Sequence, residues 1–446
     1  MQKLRDDRSW LWWVSPTRFL MFVVLPLAFI VGLYSPTYVT VDAHYYQGFM
    51  LAVFVFAMLA FVIGAQFVGL WTGNDATGAP AQHVDSRALD AVAIITMVAY
   101  LAWFYKIILN PGIAINVFTG ASDNVRDDVT TIPGITTMVS MGITYSASYA
   151  TNFVTLGKLP KRQHVFFVIL LGLALLRAIL WSERLALMEY ILPAGITFAC
   201  AAWQSKSRLC KLIKLPLFIM PYMAIAFSFF FFAFAEYFRS WNFYKDLGYD
   251  FKTFMFDRWV MYYLTSLNNG ASLVQNYIDE IPNFKFYYTL TWFFKIPVLG
   301  EWLATLLNVD TGLTDRLLNE QLNPEFTVFT GVYPLIFDFG IPGGFIAFFV
   351  FGLIFGYMYK GFVTSRGIGR ILYPTMFVEM LEITRISYMF DQRYMYVVLS
   401  CVVLSRFFMK SGQPDEARRE NAIMAAKDQR GREAPVALGT SGRVGA

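Results

Sequence analysis

The chain has 446 residues, 57% of them hydrophobic and only 15% charged, where a soluble globular domain carries about a quarter charged residues. That balance excludes an ordinary soluble enzyme and points to a polytopic, all-α membrane protein. Lys and Arg number 36 against 31 Asp and Glu, an excess explained by membrane topology, so no nucleic acid is expected as a partner.

Apolar runs predict about ten membrane helices, at roughly 17–34, 49–71, 89–109, 133–156, 164–181, 186–203, 214–235, 331–359, 371–388 and 392–410. The first has a basic flank (Lys3, Arg5, Arg8, Arg18) without a small-x-small cleavage site after Leu33, so it reads as a retained anchor. The fourth is the least apolar. Its Ser140, Gly142, Thr144, Ser146, Ser148 and Thr151 predict packing inside a bundle rather than against lipid. Between the seventh and eighth lies the long segment 236–330, rich in aromatics and carrying Arg239, Arg258 and Arg316. Within it, Tyr287–Val309 is apolar enough to suggest a further span, but Lys295, Pro297, Gly300 and Glu301 near its middle fit an interfacial or re-entrant helix pair better. Beyond Lys410 the chain turns polar. Residues 411–446 form a tail expected to be disordered except for a short helix around Asp415–Asp428. The expected organisation is thus a membrane domain, 1–410, with a large external loop, 236–330, and a cytoplasmic tail.

Orientation follows from the basic connections. An N-terminus inside the cell places Lys158, Lys161, Arg162, Lys206, Arg208, Lys211, Lys214, Lys360, Arg366, Arg370 and the tail in the cytoplasm, and the loop 236–330 outside. Both termini are then cytoplasmic. Trp10, Trp12, Trp13, Trp181, Trp203, Tyr237 and Trp241 fall near span ends, as an interfacial belt requires. Of three cysteines, Cys200 and Cys401 fall in spans and Cys210 in a basic loop, so neither an external disulfide nor a metal site is expected. No phosphate-cradling glycine loop or sugar-nucleotide signature occurs, and the cytoplasmic loops are short. No cofactor is expected, and any phosphate must arrive on a lipid from the outer side.

Arginines on that side oppose the usual charge bias. Arg177 and Arg184 lie near the junction of the fifth and sixth spans, Arg239 and Arg258 follow the seventh, and Arg385 and Arg393 bracket the last outer turn. A guanidinium suits diphosphate because its planar fork binds oxyanions bidentately and stays charged. Local pairing, such as Arg184 with Glu183 or Arg258 with Asp257, is the competing explanation for any one of them. Asp338, inside an apolar run, could act as a general base or pair with an arginine. Gly340, Pro342, Gly343 and Gly344 after it predict a kink or a close helix approach. His44, in VDAHYYQG, is the one outer histidine and reads as a surface loop residue.

The segment NPEFTVFTGVYPLIFDFGIPGGFIAFFVFGLIFGYMYKGF, from Asn323, resembles the late part of bacterial oligosaccharide repeat-unit polymerases, the Wzy-type O-antigen polymerases. The matching positions are Asn323, Thr327, Asp338, Gly340 and Gly343. SERLALMEYILP, with Arg184, resembles that family's Arg-containing turn, and YLTSLNNGASLVQNY, with Asn268 and Asn269, its external-loop helix. The likeness is one of pattern over Ala174–Lys360 and of layout beyond it. It implies a GT-C-like glycosyltransferase in the bacterial inner membrane, with undecaprenyl-diphosphate-linked oligosaccharides as donor and acceptor, and chain-length regulator and flippase proteins as partners beside membrane lipid. On that reading Arg184, Arg239 and Arg258 hold the diphosphate and Asp338 activates the acceptor hydroxyl or orients an arginine. Arg177, Arg385, Arg393 and Asn323 line the substrate, while Asn268, Asn269, Trp241 and Trp259 contact sugars. An O-antigen ligase and a polysaccharide flippase are the alternatives.

Overall fold

The computed structural model describes residues 10–34, 44–71, 81–119, 125, 129, 132, 134–181, 184–239, 241–246, 248–277, 286–294, 296, 299–309 and 328–411. In chain order its helices begin with α1 (Pro16–Leu33), α2 (Phe49–Trp71), α3 (Ser86–Leu109) and the short α4 (Gly112–Phe118). Then come α5 (Met141–Leu156), α6 (Lys161–Leu180), α7 (Arg184–Gln204), α8 (Arg208–Leu212) and α9 (Lys214–Arg239). The region of the expected external loop supplies α10 (Trp241–Asp246), α11 (Phe251–Tyr277), α12 (Thr291–Phe294) and α13 (Leu299–Leu306). The chain closes with α14 (Tyr333–Val363), α15 (Gly369–Glu382) and α16 (Gln392–Phe407).

This is an all-α membrane protein, and among the described residues six helices, α1, α2, α3, α6, α7 and α14, are long and apolar enough to cross a bilayer. The other four expected spans also form helices but differ in kind. On α9 the apolar part is Lys214–Phe230. The 14-residue α15 is about 21 Å long at 1.5 Å per residue, short of the roughly 30 Å hydrocarbon layer. It is buried continuously from Gly369 to Met380, and protein rather than lipid surrounds it, which is where a short helix with irregular ends is tolerated. The last expected span, 392–410, ends as a helix at Phe407, because Met409–Ser411 pairs antiparallel as β2 with β1 (Gln82–Val84).

That strand pair belongs to one end of the bundle. There Lys410 meets Asp85 at 3.0 Å and holds its carboxyl below the ordinary carboxylate range. Arg162 meets Asp90 at 2.7 Å, and Arg370 donates to the Ser365 carbonyl and the Thr155 hydroxyl. Basic connections that the charge bias puts on one side thus meet in space. This basic end is opposed by a distal end, formed by 44–48, α11 and the segments 328–332 and 383–391.

α5 is the central helix, buried without interruption from Gly142 to Asn152. Its hydroxyls and amides stitch it to its neighbours, as the composition predicted. Thr144 shares a hydrogen bond with Ser400 at 2.7 Å, Ser146 donates to the Tyr190 carbonyl, and Asn152 bonds both N–H and C=O of Val84 at 2.8 Å. Prolines are handled similarly. Pro26 of α1 cannot donate to the Phe22 carbonyl, and the Tyr222 hydroxyl of α9 does so at 3.1 Å. Pro221 of α9 leaves the Leu217 carbonyl open, and the Trp13 indole N–H takes it at 2.8 Å.

α2 and α14 pack backbone to backbone. A Cβ on Gly352 would overlap the Phe61 carbonyl, and one on Gly64 the Phe349 carbonyl. Gly352→Ala is expected to force the helices apart at a cost on the order of 1–3 kcal/mol. A lower thermal midpoint of the solubilised protein would report it, and an unchanged midpoint would contradict the packing argument.

Candidate functional site

Within the expected external loop 236–330, α11 is a 27-residue helix, buried continuously from Leu264 to Val274 and laid against the distal ends of other helices. Its aromatic start meets α9, with Trp259 against Phe229 at 5.8 Å. Asp257 accepts from the hydroxyl of Tyr34, just after α1. In its middle, the Ser266 carbonyl accepts from Thr330 N–H at 3.1 Å. There a Cβ on Gly270 would stand 2.6 Å from Thr330 and 2.7 Å from Tyr333, so only glycine lets the chains approach so closely. The segment 287–309 forms the two short helices α12 and α13, not a span.

Arg385 is the best-defined cation of this end. Its Nε donates to Glu382 at 2.5 Å, Nη1 to the Tyr262 hydroxyl at 2.8 Å and Nη2 to the Tyr388 hydroxyl at 2.9 Å. A guanidinium has five N–H donors, and two of Arg385's have no hydrogen-bond partner among the described residues. Arg393 lies over the same Tyr388 ring at 5.7 Å and pairs with Asp391 at 3.3 Å. Arg258, 2% exposed, precedes Tyr262 by four residues on α11, which sets the two one above the other on one helix face. Arg385 and Arg393 therefore meet at Tyr388, whereas the Arg258 guanidinium lies over the Tyr244 ring of α10 at 5.7 Å.

Carboxylates hold the turn that carries Arg385. Glu379, 6% exposed, accepts from the Ser387 hydroxyl at 2.6 Å and from the N–H groups of Tyr388 and Met389 at 2.7 and 2.9 Å. Buried Glu189 of α7 interacts electrostatically with Tyr388 and Tyr394. Neither glutamate was singled out from the sequence, although both interrupt apolar runs, in FVEML and LMEYIL, where an ionisable residue signals a function or a structural pair.

Other expected site residues fall elsewhere or have other partners. Arg177 is buried with its guanidinium over the Trp103 ring at 4.2 Å. Arg184 opens α7 and Arg239 closes α9, but their side chains, and all of Arg316 and Asn323, lie outside the described residues. Asn268 Oδ1 accepts from the N–H groups of Tyr45 and Tyr46 at 2.6 and 3.1 Å, and Asn269 donates to the Val328 carbonyl at 3.2 Å. Both amides thus clamp loops. Trp241 packs on Phe251 and Phe254.

Asp338 is 2% exposed. Its Oδ2 accepts from the N–H groups of Tyr288 and Thr289 at 3.0 and 2.8 Å and from the Thr289 hydroxyl at 2.8 Å, while Oδ1 takes a longer 3.2 Å bond from Tyr288. The carboxylate thereby ties the turn before α12 to α14. Two residues on, Gly340 breaks α14 with φ 72° and ψ 167°, a conformation open almost only to glycine. The kink expected beside Asp338 is present.

Comparisons with protein-family models, with characterised proteins and with solved structures found no match. Function has to be argued from the chemistry of this site.

Proposed function

We propose that this chain is a membrane glycosyltransferase that polymerises lipid-diphosphate-linked oligosaccharide repeat units at its distal end, in the manner of the Wzy-type polymerases it resembles. On this reading ten helices span the bacterial inner membrane in a GT-C-like arrangement, both termini are cytoplasmic and the distal end is periplasmic. The observation that carries the reading is the meeting of Arg385 and Arg393 at Tyr388, with Tyr262 of α11 also holding Arg385, at the end remote from the basic connections. Cations fixed there, against the charge bias of membrane proteins, suit an anionic group delivered by lipid.

The acceptor hydroxyl of one lipid-linked unit attacks the anomeric carbon of the glycan on another. A new glycosidic C–O bond forms, the bond from that carbon to the diphosphate oxygen breaks, and the hydroxyl proton passes to a base. Charge grows on the departing lipid diphosphate, where oriented guanidinium donors stabilise it most. Electrostatic stabilisation of the leaving group is the role assigned to Arg385 and Arg258, with Arg393, Arg184 and Arg239 contributing.

Deleting the gene and analysing lipid-linked glycans tests the proposal. Accumulation of single repeat units on the carrier lipid is the expected result. Full-length polymer left on the carrier would replace the polymerase reading by a ligase, and units confined to the inner leaflet would replace it by a flippase.

A further inference from the structure

A cleft of about 430 Å³ opens at the distal end between the segment before α2, the C-terminal part of α11 and the kink of α14. That volume is within the usual range for small-ligand pockets. His44, Tyr45, Gln47, Phe49, Gln275 and Ile341 contribute to its walls. No Lys, Arg, Asp or Glu is found among the described lining residues, which disfavours a diphosphate, a lipid headgroup or a metal ion as occupant. The chemistry is that of a neutral polyhydroxylated ligand: planar imidazole and amide groups to bond hydroxyls, with aromatic and aliphatic faces to cover C–H surfaces.

The cleft is also built rather than incidental. Asn268 of α11 fixes its wall through Tyr45 and Tyr46 N–H. Tyr46, 2% exposed, stands edge-on to Phe54 and Tyr333 beneath it. The Gln47 amide donates to the His44 carbonyl at 2.8 Å, and the left-handed backbone of Gly340 sets the position of Ile341.

From these contacts we infer that the cleft is a glycan-binding subsite, separate from the arginine cluster and joined to it by α11. It takes the neutral sugars of a repeat unit while the arginines hold the anionic end, and in that assignment it rests on the glycan-transfer reading. The thirteen residues from Tyr262 to Gln275 span about 20 Å along the helix. That separation favours an oligosaccharide over a single sugar.

His44 and Gln275 are both exposed, so changing them leaves the core intact. The test uses the full chain in phospholipid nanodiscs and, as probe, neutral oligosaccharides released by partial acid hydrolysis of the source cells' own surface polysaccharide. Saturable binding to the wild type is expected, weakened roughly tenfold or more in the His44→Ala/Gln275→Ala double variant, as the loss of one or two hydrogen bonds predicts. A smaller change, or no saturable binding, overturns the subsite. Because the readout is binding of a soluble glycan, its failure is distinct from failure of the polymerase reading, which the lipid-linked glycan profile decides.

Discussion

Arg385→Ala should abolish polymer, lowering glycan transfer by about 10²–10³-fold, the usual consequence of removing one oriented donor from a developing negative charge. Arg385 is singled out because its orientation is fixed from three sides, by Glu382, Tyr262 and Tyr388, so it is ready to bind without reorganising. Arg385→Lys should fare nearly as badly, since an ammonium cannot hold that fork geometry. Removing one tyrosine hydroxyl, in Tyr262→Phe or Tyr388→Phe, should cost less, roughly tenfold, because the guanidinium stays but its aim loosens. One confounder is folding: without Arg385 the half-buried Glu382 loses its partner. The Glu382→Gln/Arg385→Gln double variant removes that orphaned charge, and it should fold normally yet make no polymer. Glycan length profiles on gels, normalised to protein level in the membrane, give the readout. Normal polymer from well-expressed Arg385→Ala would eliminate the cluster as the leaving-group site.

Helix positions were legible because lipid-facing runs are long and apolar, as in α2, α3 and α6. α15 was legible only as an apolar stretch; its end at Glu382 depends on Glu379 binding the next turn, a contact ten residues long in sequence that no periodicity announces. Pairing of β1 with β2 joins residues more than three hundred apart, and neither three-residue strand carries a pattern by itself. The helix α11 was legible from the likeness of YLTSLNNGASLVQNY to an external-loop helix, but its burial was not, because Ser266, Asn268, Asn269 and Ser272 show no core-facing pattern. Burial is tolerated there because Asn268 and Asn269 satisfy loop backbone and the Ser266 hydroxyl bonds the preceding turn. Charge-bias reasoning placed the arginines at one end, but it could not say which share partners. The meeting of Arg385 and Arg393 at Tyr388 is a tertiary fact. The kink at Gly340 was legible from local residues, whereas the donors that meet Asp338 come from a turn about fifty residues earlier.

Asp338 offers the sharpest separation between a chemical and an architectural role. A general base must keep an oxygen free to reach the acceptor hydroxyl, and its loss typically costs 10²–10⁴-fold in rate. Here the donors come from Tyr288 and Thr289, with Oδ2 carrying three bonds and Oδ1 the longest one. Geometry therefore favours an anchor that holds the turn before α12 against the kinked start of α14. Asp338→Asn retains a carbonyl oxygen that can accept from Thr289, so it should keep more than about a tenth of wild-type transfer, losing only the charge-assisted part of those bonds, on the order of 1–2 kcal/mol. Asp338→Ala leaves buried N–H groups without an acceptor and should sharply lower both the amount of folded protein and the polymer made. Thr289→Val removes one donor and should resemble the Asn variant. An Asp338→Asn protein that is present at wild-type level, unfolds at the wild-type temperature and still makes no polymer would assign the carboxylate to proton transfer instead.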